Sequence, residues 1–456
     1  MRSFDVIVIG AGPAGEVAAG RLGEAGHSVA LVEDRLVGGE CSFWACMPSK
    51  GLLRPYEALA EALRIPGARE AITGSLDVQA VLDRRDEIIH DLDDSSQLPW
   101  LDDRGVTLVR GEGVLTGEGR VTVGDEELEA TQAVILATGS LPAMPPIEGL
   151  GEIDGAWTNR DATTAKAIPP RLVIMGGGVV GVEMAQAFQT LGSQVTLIEG
   201  ERRLLPREEE YACGQVTDAL TEYGVDIRTG QRASKVEQRG ETVVVTTDDG
   251  GTAEGDTLLV ALGRVPQTRG LGLETIGVPD DKPVHVNARM QVDGHPWLYA
   301  IGDINGRALF THMGKYQARI AADHIMGHDT TFSHGADGAL SPRVIFTEPQ
   351  VAAVGHTTDT ARAAGLVVDV VETSTSGNAG GSFYGRGAVG TSRLLIDRER
   401  RVIVGATITG AEVADLLHAA TIAIVGELPL ERLRHATPCF PTRSEIWLAL
   451  LERAGV

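Results

Sequence analysis

Two short apolar runs, each broken off by glycines, recur along the chain and set its plan. The run "FDVIVIG" leads into Gly10-x-Gly12-x-x-Gly15, and "RLVIMGG" leads in the same way into Gly176-x-Gly178-x-x-Gly181. Apolar runs this short, cut by glycine, predict strands that enter a following element through a tight turn. A second apolar run follows each: "SVALVE" closes on Glu33, eighteen residues after Gly15, and "QVTLIE" closes on Glu199, eighteen residues after Gly181. Two further buried-type strands are predicted in "AVILATGS", ending at Thr138, Gly139 and Ser140, and in "PWLYAIGD", ending at Asp303. "REEEYACGQVTDALTEYG" reads as an amphipathic stretch that places Cys213 in a core, and "LFTHMGKYQARIAADHIMG" is helix-like beyond His312. No run reaches the ~18 apolar residues of a membrane-crossing helix, and Asp5 interrupts the N-terminal one, so neither a span nor a signal peptide is expected.

The repetition carries the argument. One glycine pattern among 57 glycines is weak, whereas strand, glycines and terminal acid at the same spacing twice is a duplicated device. The first glycine allows the turn, the second lets backbone approach a pyrophosphate, and the third lets helix pack on strand. The pyrophosphate then rests on a helix N-terminus, and Glu33 and Glu199 face ribose hydroxyls. Ligands of such sheets bind outside the carboxyl ends of strands, which adds Thr138, Gly139, Ser140 and Asp303 to the first site. A site assembled from positions near 10, 139 and 303 is interrupted by the second unit. The predicted fold class is α/β, with two Rossmann-like dinucleotide-binding domains, one inserted in the other.

Composition narrows the partners. A chain of 456 residues accommodates roughly three domains. A net charge of -23 and a pI near 4.9 disfavour nucleic acid and anionic membrane surfaces, which would be repelled. The protein is expected to be cytoplasmic. In that compartment thiols stay reduced, so Cys41 and Cys46, separated by four residues in "GGECSFWACMPSK", read as catalytic or metal-binding rather than as a staple.

With its motifs in this order, the chain resembles the flavoprotein disulfide reductases, the class I pyridine nucleotide-disulfide oxidoreductases typified by dihydrolipoamide dehydrogenase, glutathione reductase and mercuric reductase. The resemblance rests on the first glycine fingerprint, the paired-cysteine stretch, "ATGS", "GGGVVGVE", "ALGRVP", "AIGD" and "FTEPQVAAVG". It implies FAD on the first fingerprint and a nicotinamide nucleotide on the second. It divides the chain into an FAD-binding domain at 1–150 and 271–340, an NAD(P)-binding domain at 151–270, and a C-terminal α+β dimerisation domain at 341–456 that makes a homodimer. Cys41 and Cys46 then form a redox-active disulfide, with Cys46 facing the flavin and Cys41 exchanging with substrate. Lys50 sits beside the flavin and Glu183 is its acidic partner. Gly113, Gly263 and His312 join the cofactor-binding residues. Two cysteines at a helix start also place a thiolate where the helix dipole favours it. A resident metal is not expected, because a zinc site takes about four ligands and no second close Cys or His pair exists. Glu199 opposes a 2'-phosphate, so NAD is expected, while Arg202 and Arg203 leave NADP open.

One departure bears on the acceptor. The family's C-terminal His-Pro-Thr-x-x-Glu stretch reads "FPTRSE" here: Pro441, Thr442 and Glu445 keep their places and Phe440 takes the histidine's. A phenyl ring neither accepts nor donates a proton. The resemblance keeps Glu445 among the catalytic residues, and without the histidine it is expected to pair with Arg443 or another cation. His435 is read as structural, and Cys439 as a small buried residue, the alternative being a third sulfur. The expected activity is transfer from NAD(P)H through flavin and Cys41-Cys46 to a small thiol or disulfide. A quinone or other direct flavin oxidant, or a soft metal ion as in mercuric reductase, is the alternative, and a nucleotide-holding sensor or assembly component is the third reading.

Overall fold

The computed structural model describes residues 1–333 and 336–456. The chain forms two compact units, one built from Met1–Pro48, Asp86–Leu141 and Arg264–Gly338, the other from Ser49–Arg85, Pro142–Gly263 and Ala339–Val456. The division at Pro48 falls inside the helix Cys46–Arg64.

In the first unit the strands Arg2–Ile9, Val29–Glu33, Val106–Arg110, Glu126–Leu136 and His295–Ala300 pair in parallel, in the spatial order His295–Ala300, Glu126–Leu136, Arg2–Ile9, Val29–Glu33, Val106–Arg110. The near-continuous apolar runs are explained by burial on both faces. Val6, Val8, Leu31 and Ile135 enter one core cluster, and the intervening Ile7, Ile9, Val32, Val134 and Leu136 enter another. The first cluster also takes Ala18, Leu22, Ala318 and Ala321 from the helices Pro13–Glu24 and Thr311–Ile325. The hairpin Gly113–Gly117 and Arg120–Val123 pairs with Glu126–Leu136.

The second unit repeats the plan with the parallel strands Asp226–Thr229, Gln194–Glu199, Arg171–Met175 and Thr257–Val260. Leu172, Ile174 and Leu197 face one cluster, and Val173, Met175 and Ile198 the other, which also receives the three-stranded sheet Ala233–Arg239, Thr242–Thr247 and Thr252–Gly255. The helix Val179–Thr190 is apolar or small almost all round and is buried from Gly181 to Phe188, which takes Glu183 and Gln186 inside with it. The unit also holds a five-stranded antiparallel sheet, from Arg343–Ile345 to Val368–Ser374, with the helices Leu417–Val425 and Ile446–Arg453. Among the described residues no helix is long and apolar enough to cross a membrane.

Candidate active site

The two glycine loops obey the same steric rule. A Cβ on Gly10 would stand 2.5 Å from the Ala137 carbonyl oxygen, and one on Gly15 only 1.8 Å from that of Gly10. The counterparts are Gly176 against Ala261 O at 2.3 Å and Gly181 against Gly176 O at 1.8 Å. The middle glycines differ: around Gly12 and Gly178 nothing lies within 4 Å of a Cβ position. That open space at a helix N-terminus is what a pyrophosphate needs, so the residues present fit a dinucleotide at both loops. Each terminal acid is tied to its own loop. Glu33 accepts from the amides of Ala11 at 2.7 Å and Arg35 at 2.9 Å, and Glu199 from those of Gly177 at 2.6 Å and Glu201 at 2.7 Å. Burial pushes the Glu33 carboxyl up to about 7 despite these bonds, and burial likewise lifts Glu16, on the first helix, to about 7.

Glu33 ends its strand, and Gly10, Thr138, Gly139, Ser140 and Asp303 follow the carboxyl ends of adjacent parallel strands. Ser140 Oγ donates to Asp303 Oδ2 at 2.6 Å, Arg264 Nε donates to Ser140 Oγ at 2.7 Å, and Thr138 Oγ1 donates to the Gln267 carbonyl at 2.8 Å. Burial raises the Asp303 carboxyl above its ordinary range, opposed by Ser140 and Arg264. Gly113 is pressed against Ile9 and Val32, where a Cβ would meet side-chain atoms at 3.0 and 3.1 Å. His312 is exposed and stacks on Phe310, with ring centroids 5.5 Å apart. Gly263 takes φ +116°, with nothing within 4 Å of a Cβ position.

The cysteines sit on two helices rather than at the start of one. Cys41 lies within the short helix Gly39–Phe43, reached through the left-handed Gly38, and Cys46 is the first residue of Cys46–Arg64. Both are free thiols in this structure. Thr311 Oγ1 lies 3.4 Å from Cys46 Sγ. The hydrogen bond with Cys46, then burial and the charge on Cys46, hold the Cys41 thiol well above its ordinary value, and Thr311 and Lys315 offset this only in part. One turn beyond Cys46, Lys50 Nζ donates to Glu183 Oε2 at 2.7 Å across 133 positions of sequence, and lies 4.7 Å from the Phe346 ring centre. The other Glu183 oxygen accepts from the Phe346 amide at 2.9 Å. A carboxylate buried to 4 % of its side-chain surface is thereby fully partnered.

The C-terminal segment departs from expectation twice. Cys439 is exposed, not buried, because it lies in a stretch without regular structure next to Phe440, itself 76 % exposed. Arg443 does not pair with Glu445; its guanidinium donates to the carbonyls of Ala411 and Glu412 and stacks over Tyr384 at 4.0 Å. Glu445 Oε2 is buried without a hydrogen-bond partner. His435 is exposed. The structure also adds residues the sequence did not single out: Thr311 on the thiols, Arg264 on Ser140, and Gly177 on Glu199. Arg264 stands in "ALGRVP" beside Gly263 and was within reach of the motif; Thr311 carried no local signal.

Residues 4–323 match the pyridine nucleotide-disulphide oxidoreductase family, and residues 341–450 match its dimerisation domain. The chain is 33% identical over 454 residues to dihydrolipoyl dehydrogenase of Chlamydia muridarum, covering 98% of this chain and 95% of that protein. It is 29% identical over 456 residues to mercuric reductase of Staphylococcus aureus, covering 97% and 81%. Among solved structures, the Cu(II) complex of the HOCl-induced flavoprotein disulfide reductase RclA from Escherichia coli superposes with a TM-score of 0.86 at 25% identity, over 99% of this chain and 100% of the other. LpdA from Mycobacterium tuberculosis gives 0.87 at 24% over all of both chains, a likeness of fold. The dimerisation domain supports a homodimer. With two dinucleotide loops and a matched family along nearly its whole length, the chain belongs to the pyridine nucleotide-disulphide oxidoreductases, FAD-dependent enzymes that draw electrons from a nicotinamide nucleotide.

Proposed function

We propose that this enzyme passes electrons from NADH by way of Cys41 and Cys46 to a small disulfide, without a catalytic histidine. The observation that carries this reading is the meeting of both thiols with each other and with Thr311, at the start of the helix that also bears Lys50. FAD, when bound, supplies two-electron transfer between the nicotinamide nucleotide and the cysteine pair. Gly10, Gly12, Gly15, Glu33, Gly113, Thr138, Gly139, Ser140, Asp303 and His312 hold it, within a domain formed by 1–150 and 271–340. Gly176, Gly178, Gly181, Glu199 and Gly263 hold the nicotinamide nucleotide in 151–270, and 341–456 forms the dimer. Lys50, kept in place by Glu183, presents a fixed positive charge.

Cys41, as thiolate, attacks one sulfur of the acceptor disulfide, forming a mixed disulfide and releasing a thiolate that takes a proton from water. Cys46 then attacks Cys41, releasing the second thiol and closing the Cys41-Cys46 bond. In sum NADH, one proton and a disulfide give NAD+ and two thiols. Phe440 offers no base for these protons, so the Cys41 proton leaves to water.

A second reading, reduction of a quinone directly by the flavin, is favoured by Phe440 alone. Cys41→Ser and Cys46→Ser separate the two. Under the first reading both variants lose NADH-dependent reduction of a small disulfide and keep reduction of a simple quinone. Disulfide reduction that survives in Cys41→Ser sinks the first reading, and a wild-type protein active only on quinones establishes the second.

A further inference from the structure

Cys213 takes no part in this chemistry. It is 1 % exposed, on the helix Glu210–Glu222 of the second unit. Its thiol nevertheless has a directed role: Sγ donates to the Leu205 carbonyl at 3.2 Å and faces that of Glu208 at 3.7 Å. Leu205 adopts φ +50°, a left-handed conformation that is strained for a bulky residue and persists only where the surroundings hold it. Three hydrogen bonds hold it here, one of them from the Glu208 amide to the Leu205 carbonyl at 2.9 Å. The Leu205 carbonyl receives the thiol, and the Leu205 amide donates to the Gly177 carbonyl at 2.9 Å.

Gly177 is the residue between the first two glycines of the second fingerprint, and its own amide is held by Glu199. A Cβ there would lie 2.5 Å from Leu204 Cδ2, so the turn at Leu204 and Leu205 packs directly under the loop. The far end of the segment is fixed independently: Arg343 grips both Glu208 oxygens at 2.6 and 2.9 Å, and Arg393 reaches Glu209 at 2.7 Å. Cys213 is therefore the side-chain donor on the strained turn, sharing the Leu205 carbonyl with the anchored Glu208 amide.

We propose that Cys213 is a positioning residue for the nicotinamide nucleotide: its S–H, beside the Glu208 amide, holds the left-handed turn at Leu205, and through Leu205 the backbone of Gly177 in the geometry the pyrophosphate needs. Burial lifts the thiol to about 11, so it remains a donor at neutral pH. The inference rests on the assignment of a nicotinamide nucleotide to the second fingerprint, and the test separates the two.

The oxidised, FAD-loaded enzyme and its Cys213→Val, Cys213→Ala and Cys213→Ser forms are titrated with NAD+ by calorimetry, and kcat and KM for NADH are measured with a quinone acceptor. Valine keeps the volume without the donor; serine keeps a donor. The expected result is a Kd for NAD+ and a KM for NADH raised roughly three- to tenfold in Cys213→Val, the worth of one weak hydrogen bond. Then kcat and FAD content stay unchanged, and Cys213→Ser lies within about twofold of wild type. Should valine not yield folded protein, alanine is read in its place. Wild-type binding in the valine or alanine form overturns the proposal, and so does equal weakening in valine and serine, which would assign the effect to volume. Failure of the wild-type enzyme to bind NAD+ overturns the nucleotide assignment itself, and this proposal with it.

Discussion

Lys50→Met is the perturbation whose cost follows most directly from the geometry. Removing the ammonium leaves Glu183 as a carboxylate buried to 4 % of its side-chain surface, with the Phe346 amide as its remaining donor. Breaking a buried pair by deleting one partner costs about 3–5 kcal/mol, because the other charge is stranded. Lys50 keeps 33 % of its side-chain surface, so water screens the pair and the lower end, about 3 kcal/mol, applies. The double variant Lys50→Met with Glu183→Gln strands no charge; the glutamine carbonyl still accepts from the Phe346 amide while its NH2 group lacks an acceptor, so it should recover in part, to within about 2 kcal/mol of wild type. The assay is thermal unfolding followed by circular dichroism at saturating FAD. At ~2–4 °C per kcal/mol the single variant should melt on the order of 6–12 °C lower, with the double variant between it and wild type. A Lys50→Met protein as stable as the double variant would show that Glu183 finds other compensation, and the account of this pair would fall.

Three further outcomes are expected. Gly12→Ala should fold normally and lose FAD, because its Cβ enters open space, whereas Gly15→Ala should not fold stably, because its Cβ meets the Gly10 carbonyl; circular dichroism and flavin content of the two proteins check this. The raised Cys41 thiol leaves little thiolate at pH 7, so disulfide-linked turnover should climb about tenfold per pH unit from 7 to 9 while quinone reduction stays flat, and Phe440→His should shift the rise toward neutral pH. Glu348 is raised from 4.5 to about 7 by burial, against the pull of Arg64. The fold therefore prefers its protonated form, in full below pH 4.5, and loses that preference as pH rises through 7. Chemical unfolding at pH 5 and pH 8 should accordingly show Glu348→Gln losing about 2.5 kcal/mol less than wild type over that interval.

The parts of the site that depend on local pattern could be read from the chain. Strand, three glycines and a terminal acid are contiguous, so Gly10, Gly15 and Glu33 and their repeats were visible without any tertiary information. The meeting of Lys50 with Glu183 came only through resemblance, since nothing local joins residues so far apart. Thr311 escaped notice because a threonine at the start of a helix looks like any other; its importance comes from Cys46, which the topology brings to it. Cys41 and Cys46 read as one helix start, but the first helix ends at Trp44, placing them on successive helices. Cys439 was misjudged for a related reason: cysteines are usually buried, and this one lies in a segment whose neighbour Phe440 already faces outward. Cys213 was rightly placed in a core, but its bond to a strained carbonyl has no trace in the sequence.

The central claim is that Cys41 and Cys46 work with the flavin. Anaerobic titration of the purified holoenzyme with NADH, counting electrons taken up per bound flavin by absorbance, tests it most directly. The account predicts uptake of about four electrons, two on the flavin and two on the cysteine pair. Uptake of about two, unchanged in Cys46→Ser, would put the cysteines outside the electron path and contradict it.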